Sequence, residues 1–362
     1  MNITVVAQQM RQPVPGGIGT YVRGLVQGLE ATDHPGFDIS FLASRVSGTR
    51  DPLATWGPVT SSRWGHRALS VLWERELLRA PSDADLVHAT SLAFPSLRKG
   101  SGARATMFLH DVAWRTHPEF YPEHGLAFHD RALNRALASR CALLVPSAST
   151  ADALLKLGVP SARVTLVGEG SDHLPLLPRT SGGDYLLAVS TREPRKNLSR
   201  LIEAYARIRS RLPTPWPLYI VGPNGWEGRH GERAVAGVER EGVELLGPVS
   251  DERLAQLLAE ARTFAYVPLV EGYGLPPVEA MRAGVPVVAS SVPSVSADRA
   301  CLVNPLDVED IARGLLLAST DEDLRSSLVD EGRSFAGAQT WNAAAEAHVH
   351  VWTEMLTKGP SW

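Results

Sequence analysis

Short apolar runs alternate along the chain with segments in which apolar residues recur every three or four positions. The runs contain many β-branched residues, which is typical of buried strands. In the first half of the chain they lie at 2–8, 37–44, 84–90, 105–111, 141–147 and 163–170. Segment 19–32 follows the other pattern, because Val22, Leu25 and Leu29 share one face of a helix. Such alternation predicts a parallel sheet with helices on both faces.

A segment rich in proline, glycine and serine, 171–184, separates this series from a second one, and we interpret it as an interdomain linker. The second series has predicted strands at 185–191, 218–223, 243–249, 263–269, 285–290 and 300–305. We therefore predict an α/β fold of two Rossmann-like, doubly wound domains, 1–172 and 173–340, facing a central cleft. The remaining segment, 341–362, contains a predicted helix that is long enough to pack back on the first domain.

The composition excludes some classes of function. The 362 residues carry a net charge of −3, so no basic field points to nucleic acid as a partner. Cys141 and Cys301 fit no metal or redox spacing, which agrees with a reducing compartment. The first residues lack the pattern of a secretory signal, and no apolar stretch reaches the ~20 residues of a membrane span. These features predict a cytoplasmic protein.

One amphipathic segment, 62–79, places tryptophan and leucine side chains among arginines. Such a segment can dock on a membrane surface or on a lipid-linked acceptor. An ordinary surface helix has the same pattern, so peripheral contact with the inner face of a membrane and a plain surface role both stay open.

Residues 271–290, EGYGLPPVEAMRAGVPVVAS, place Glu271 and Glu279 around a glycine turn. The sequence predicts a helix that begins at the two prolines, with Glu279 in its first turn and Gly284 after its end. The backbone N–H groups of the turn and the helix dipole favour an anion. A carboxylate there is either a partner of the dipole or an acceptor for sugar hydroxyls.

A second motif, VSTREPRKN at 189–197, clusters Arg192, Arg195 and Lys196 between a predicted strand and a helix. Cations at a helix N-terminus oppose the dipole, so their presence favours a bound anion over a simple solvated helix start.

Two motifs in the first half add candidates. Gly16 and Gly17 precede a predicted helix without forming the G-x-G-x-x-G fingerprint, so a dinucleotide-binding dehydrogenase is disfavoured. His110, followed by Asp111, ends an apolar strand, where side chains face the cleft. A lone histidine is more often structural. His88, which also ends a predicted strand, is a secondary candidate.

Together these motifs closely resemble the signature of the retaining nucleotide-sugar glycosyltransferases of family 4, glycosyl transferases group 1, which have the GT-B fold. The resemblance covers most of the chain. It implies an acceptor-binding domain at 1–172 and a donor-binding domain at 173–340. It also implies that Glu279 binds the ribose hydroxyls and that Glu271 lies by the donor sugar and its diphosphate.

The same resemblance assigns further roles. Backbone N–H groups of the loop contact the sugar or phosphate, at Tyr273, Gly274 and Leu275. Arg195 and Lys196 neutralise the leaving β-phosphate. Many relatives have an arginine where this chain has Thr191, so that role falls to Arg195 or Arg192.

In the first domain the resemblance places His110 near the donor sugar, and Gly16 and Gly17 near the donor phosphate. The nucleobase is expected along Val249 and Gly222, through backbone contacts. Glu169 stands where relatives have the asparagine of a P-N-G turn, which puts local acceptor or hinge contacts in doubt.

The implied activity is transfer of a hexose from a GDP- or UDP-sugar to a hydroxyl of a carbohydrate or lipid-linked saccharide, with retention and without a required metal or other cofactor. Mannose is favoured, because EPRKN and HDVAW resemble a branch rich in GDP-mannose enzymes that make O-antigen or other polysaccharides. Two alternatives remain. They are a nucleotide-sugar epimerase or phosphorylase on the same architecture, and a non-catalytic nucleotide-binding scaffold.

Overall fold

A computed structural model describes residues 1–32, 34, 36–46, 48, 51–180, 183–212, 214–225 and 242–358. The chain divides into two compact units. Unit 1 comprises Met1–His173 together with the C-terminal segment from Trp341, and unit 2 comprises Leu174–Thr340.

Unit 1 is built on a parallel sheet. Its strands are Asn2–Val6 (β1), Asp38–Ala43 (β2), Val59–Ser61 (β3), Leu86–Ala89 (β4), Arg104–Phe108 (β5), Ala142–Val145 (β6) and Val164–Leu166 (β7). The order across the sheet is β3-β2-β1-β4-β5-β6-β7, and Ile3 of β1 pairs with Ile39 of β2 and Leu86 of β4. The six predicted strands are present, and β3 is an additional edge strand that the sequence pattern did not predict.

Helices cover the sheet of unit 1. They are Gly16–Ala31, His66–Glu74, Ala113–Thr116, Glu123–Ala138, Ala148–Lys156 and Trp341–Thr357, with 3₁₀ turns at Gln8–Arg11, Pro118–Phe120 and Ser161–Arg163. The C-terminal helix, Trp341–Thr357, packs against the first helix, Gly16–Ala31. Gly24 and Gly28 allow this close approach, because a Cβ atom at either position would overlap Trp341.

A buried chain of hydrogen bonds also connects the C-terminal helix to the sheet of unit 1. The hydroxyl of Tyr21 lies 2.8 Å from Nε2 of His88 and 2.8 Å from Nε2 of His348. Nδ1 of His88 lies 2.9 Å from the hydroxyl of Thr106, and Nδ1 of His348 lies 2.7 Å from the carbonyl oxygen of Ala344. We call this set the histidine chain.

The protonation of the histidine chain follows from its acceptors. Burial lowers the pKa of His348 to about 4 and that of His88 well below its usual range, so both rings are neutral near pH 7. Nδ1 of His348 must donate to a carbonyl, so its Nε2 accepts from Tyr21. Tyr21 then accepts from Nε2–H of His88, whose Nδ1 accepts from Thr106. Every polar side-chain atom of the histidine chain therefore has a hydrogen-bond partner.

Unit 2 has a second parallel sheet. Its strands are Leu186–Val189 (β8), Leu218–Val221 (β9), Val243–Gly247 (β10), Thr263–Tyr266 (β11), Val287–Ala289 (β12) and Cys301–Leu302 (β13), in the order β10-β9-β8-β11-β12-β13. Its helices are Leu198–Ile208, Asp251–Glu260, Leu275–Arg282, Val308–Thr320 and Glu322–Ala338, with 3₁₀ turns at Pro194–Lys196 and Arg209–Arg211. Leu198–Ile208 and Val308–Thr320 cover one face, and Asp251–Glu260 and Leu275–Arg282 the other.

Each sheet has a point where the strand order switches direction. In unit 1 successive strands are added on one side of β1 and then, from β4, on the other. In unit 2 the same reversal occurs between β8 and β11. Ligands of doubly wound folds bind beside such a switch, at the carboxyl ends of the strands. The loops that follow β1, β4, β8 and β11 are therefore where a site is expected.

Candidate active site

The basic motif forms a turn at the carboxyl end of β8. Pro194–Lys196 is a single 3₁₀ turn, and Asn197 follows it in the left-handed conformation, with φ of +59°. The side-chain amide of Asn197 donates to the carbonyl oxygens of Val267 and Pro305, at 3.0 and 2.7 Å. The backbone of Leu269 donates to that of Arg195 at 2.7 Å. These bonds attach the basic turn to the loop after β11.

Glu271, in the loop after β11, connects the two cations of the basic turn. Its carboxylate pairs with Nζ of Lys196 and lies 3.2 Å from Nη1 of Arg195. The hydroxyl of Tyr266 donates to the same carboxylate at 2.6 Å and accepts from Lys196 at 3.0 Å. Arg195 also pairs with Glu193 at 2.8 Å. The structure thus brings Arg195, Lys196 and Glu271 together, in what we call the charge cluster.

The electrostatics of the charge cluster keep Glu271 ionised. Burial would raise the pKa of Glu271, but the charges of Lys196 and Arg195 outweigh it and lower the pKa to about 2. Burial and the neighbouring Glu271 raise the pKa of Tyr266 well above its usual value, so its hydroxyl keeps its proton. The two cations are mostly buried, with 13% of Arg195 and 11% of Lys196 exposed. They are held in place before any anion binds.

Sequence analysis missed two residues that contact the charge cluster, Tyr266 and Glu193. Tyr266 is the last residue of β11, and Glu193 directly precedes the basic turn. Tyr266 carried a signal, because a polar group at the end of an apolar strand faces the ligand side of the sheet.

The glycine turn leads into the helix Leu275–Arg282. Gly274 precedes the helix in the left-handed conformation, with φ of +95°, and its carbonyl accepts from the hydroxyl of Ser294 at 2.7 Å. A helix start leaves four N–H groups without helical acceptors. Because residues 276 and 277 are prolines, which carry no N–H, the donors that remain belong to Gly274 and Leu275. The carbonyl oxygen of the preceding Tyr273 accepts from the backbone N–H of Ser294 at 3.1 Å.

Glu279 is buried, with 8% of its surface exposed. The prediction that it lies in the first turn of the helix is wrong. The helix begins at Leu275, directly after Gly274, so Glu279 lies at the start of the second turn.

Three further candidates of unit 2 lie near strand ends. Gly222 has φ of +142°, and a Cβ atom there would overlap the carbonyl oxygen of Ser190, so its own backbone already requires glycine. Val249 is half-buried after β10 and packs on the core. Arg192 is half-buried and pairs through its backbone with Asn224.

In unit 1 the first helix begins earlier than predicted. Gly16 and Gly17 are its first two residues and do not form a loop ahead of it. Gly16, the first helical residue, has a left-handed backbone conformation, with φ of +62°, which favours glycine. Gly17 has no such constraint, and a Cβ atom there would meet nothing within 4 Å. Nothing in the described chain therefore requires glycine at position 17.

His110 follows β5, beside the end of β4. Its Nε2 atom lies 3.2 Å from the carbonyl oxygen of Thr90, and its Nδ1 atom lies 3.3 Å from Oε1 of Glu169. Asp111 accepts from the backbone of Ala113 at 3.0 Å and so stabilises the next turn. His88 lies inside β4 rather than at its end, and it is fully buried in the histidine chain. Its role is structural.

The sequence of both units matches known families. Residues 15–173 match the family described as Glycosyltransferase Family 4, and residues 177–335 match Glycosyl transferases group 1. The O-antigen chain mannosyltransferase B of Escherichia coli is 32% identical over 255 residues, which are 66% of this chain and 67% of that protein. The chain belongs to glycosyltransferase family 4.

This glycosyltransferase is also similar in sequence to a second mannosyltransferase and in structure to the solved chain of HepE. The serotype-specific mannosyltransferase WbdA of Escherichia coli is 32% identical over 178 residues, which are 46% of this chain but only 22% of that protein. The crystal structure of HepE from Anabaena in complex with UDP and glucose matches with a TM-score of 0.73 and 17% identity, over 98% of this chain and 99% of that chain. The fold is GT-B, with two Rossmann-like domains on parallel sheets.

Two other kinds of site are absent from the ranges described above. No group of three or more His, Cys, Asp and Glu side chains there is arranged to hold a metal ion. No helix there is long and apolar enough to span a membrane. In the amphipathic segment of this glycosyltransferase, Leu69 and Trp73 are buried, whereas Trp64, Val71 and Leu77 are exposed.

Proposed function

We propose that this glycosyltransferase moves a mannosyl group from a nucleoside diphosphate sugar to a hydroxyl of a carbohydrate or lipid-linked saccharide, with retention of configuration. GDP-mannose is the favoured donor over a UDP-sugar. The charge cluster beside the strand-order switch of unit 2 carries the proposal, because it is preorganised for a diphosphate. Two relatives named as mannosyltransferases support the sugar, and the UDP in the HepE structure supports a nucleotide donor.

The charge cluster suits the departure of a diphosphate. As the bond between the anomeric carbon and the β-phosphate oxygen breaks, its electron pair stays on that oxygen. Arg195 and Lys196 stabilise the growing negative charge, together with N–H groups of Gly274 and Leu275. The acceptor oxygen bonds to the anomeric carbon on the same face, and its proton passes to the leaving phosphate. Because the two cations supply the positive charge, the reaction is expected to proceed in EDTA.

The remaining residues of unit 2 hold the rest of the donor. Glu279 accepts from the ribose hydroxyls, and Glu271 lies by the donor sugar and its diphosphate. Tyr273 contributes a backbone N–H group to the sugar or phosphate. Backbone atoms of Gly222 and Val249 contact the nucleobase. Residues 173–340 thus form the donor-binding domain of the proposal.

Residues 1–172, with the helix Trp341–Thr357 packed on them, form the acceptor-binding domain. His110 lies beside the donor sugar. Gly16 and Gly17 approach the donor phosphate. For Gly17 the open space at its Cβ position supports this role, since no contact within the described chain explains a glycine there.

The proposal is tested by measuring the turnover of Lys196→Ala and its binding of the nucleotide sugar. The matched control is Lys99→Ala, which removes an exposed lysine in a loop of unit 1. Loss of one preorganised charge at a transition state lowers kcat by about 10²–10³, and the control should match wild type. Product analysis after incubation with GDP-mannose, UDP-glucose and an acceptor, with and without EDTA, identifies the sugar and the anomeric configuration. Wild-type turnover in folded Lys196→Ala would remove the cluster from the mechanism.

The same products separate the proposal from its alternatives. An epimerase would convert the nucleotide sugar without any acceptor, and a phosphorylase would release sugar phosphate. A scaffold would show a thermal shift with a nucleotide and no turnover.

We also propose peripheral contact with the inner face of a membrane, in the cytoplasm, through the exposed part of segment 62–79. Its arginines and the exposed Trp64 and Val71 suit an anionic lipid surface. Co-sedimentation with vesicles that contain anionic lipid should fall in Arg67→Glu but not in Arg253→Glu, an equal change of charge in unit 2. Equal sedimentation of both variants and wild type would contradict this contact.

A further inference from the structure

Glu169 is a buried carboxylate to which the proposed reaction assigns no role. It follows β7, and only 7% of its side chain is exposed. Its Oε1 atom lies 3.3 Å from Nδ1 of His110, whose side chain is 25% exposed. A buried carboxylate is strongly unfavourable unless a cation or hydrogen-bond donor compensates it. His110 is the group of the described chain that can do so here.

The surroundings of His110 fix the plane of its ring. The ring meets Tyr21 edge-on at 5.1 Å between centroids, and Phe108 at 4.9 Å. Nε2 faces the carbonyl oxygen of Thr90 at 3.2 Å, and Nδ1 faces Oε1 of Glu169 at 3.3 Å. These two contacts involve different nitrogens of the ring, so together they restrict its rotation.

Neighbouring groups do not replace Glu169 in this arrangement. Asp111, next to His110 in the chain, is directed at the backbone N–H of Ala113. Tyr21 keeps its proton, because burial and then the negative charge of Glu169 raise its pKa well above the usual value. That hydroxyl proton belongs to the histidine chain, where Tyr21 donates to His348.

We propose that Glu169 is a positioning residue for His110 in the transfer reaction, and that its carboxylate holds the ring in one orientation at the carboxyl end of β5. The inference rests on the proposed function, in which His110 lies beside the donor sugar. The contact with Glu169 then presents a ring of fixed orientation to the sugar. The donor itself is bound by unit 2, so Glu169 should affect turnover more than donor affinity.

A double-mutant cycle tests this inference. Glu169→Gln keeps the size of the side chain and removes its charge, and His110→Ala removes the group that it positions. We expect Glu169→Gln to lower kcat about tenfold while the KM for the donor changes by less than about twofold. In the His110→Ala background the same change should have no further effect, since coupled residues are not additive. Equal losses in both backgrounds would mean a structural role and overturn the inference.

A second measurement does not depend on turnover. NMR relaxation of the histidine rings, with the His110 signals assigned by their loss in His110→Ala, should show one ordered ring for His110 in the wild type. The ring should become more mobile in Glu169→Gln. A mobile His110 ring in the wild type would refute the inference, even if Glu169→Gln did not fold. If no donor gives turnover, the proposed function fails and the NMR result still decides the pairing.

Discussion

The hydroxyl of Tyr21 is a single atom on which the histidine chain depends, and Tyr21→Phe removes it alone. The phenyl ring keeps its stacking on Phe108, where the centroids are 4.1 Å apart. The change leaves Nε2–H of His88 without an acceptor and Nε2 of His348 without a donor. Both atoms lie in side chains with no exposed surface, so water cannot replace the hydroxyl without a rearrangement.

The expected loss of stability follows from counting these two atoms. A buried polar group that loses its partner costs about 1–3 kcal/mol, so the free energy of unfolding should fall by about 2–6 kcal/mol. Thr106→Val is the matched variant, because it removes the hydroxyl at the other end of the chain and leaves only Nδ1 of His88 without a donor. Its cost should be about 1–3 kcal/mol.

Urea unfolding followed by tryptophan emission measures both variants. The described tryptophans of unit 1 are Trp56, Trp64, Trp73, Trp114, Trp341 and Trp352, whereas unit 2 contributes Trp216, so the signal reports mainly on unit 1. The urea midpoint should fall without a change in the slope m. A loss within about 0.5 kcal/mol for Tyr21→Phe, the usual range for neutral surface changes, would refute the reasoning. So would a larger loss for Thr106→Val than for Tyr21→Phe.

Three further predictions address pH, packing and the charge cluster. The pKa of His348 is about 4 in the folded protein and about 6.5 in the unfolded chain. The neutral ring therefore contributes fully to the free energy of unfolding above pH 6.5, and this contribution is lost as the pH falls towards 4, by about 2 kcal/mol at pH 5. Equal urea midpoints at pH 7.5 and 5 would contradict this. Gly28→Ala should destabilise by about 1–3 kcal/mol or more through its overlap with Trp341, whereas Gly17→Ala should leave the melting temperature nearly unchanged, and similar melting of the two variants would count against the close helix contact. Tyr266→Phe removes the hydroxyl between Lys196 and Glu271, and because bonds to charged groups contribute about 1.5–3 kcal/mol, transferase turnover should fall roughly tenfold or more; unchanged kcat and KM would show that this hydroxyl has no part in the cluster.

Much of the fold was predictable because strands of a parallel sheet are buried on both faces and leave continuous apolar runs. The edge strand Val59–Ser61 was missed because it is not buried in this way. It is three residues long and largely exposed, so it needs no apolar run. The start of the first helix was also misplaced, because glycine signals a turn in sequence, whereas Gly16 and Gly17 are the first two residues of the helix.

The residues of the candidate site that lie on a single loop could be predicted from sequence. The contacts between residues of two different loops could not. The loops around Arg195 and Glu271 were each found from local spacing. Their joining through Tyr266 depends on β8 and β11 being neighbours, a pairing across more than seventy residues that periodicity does not reveal. The pair of Glu169 and His110 spans a similar distance along the chain.

The division of unit 1 between the two ends of the chain sets an order of events during synthesis. Unit 2 consists of consecutive residues and can close as soon as it leaves the ribosome. Unit 1 begins first, yet it stays incomplete while the 167 residues of unit 2, Leu174–Thr340, are added. At about 5–20 residues per second, that delay is roughly 8–33 s. During this time the glycine face of the first helix and the hydroxyl of Tyr21 have no partner helix, so the half of the protein that is made first is the last to be finished.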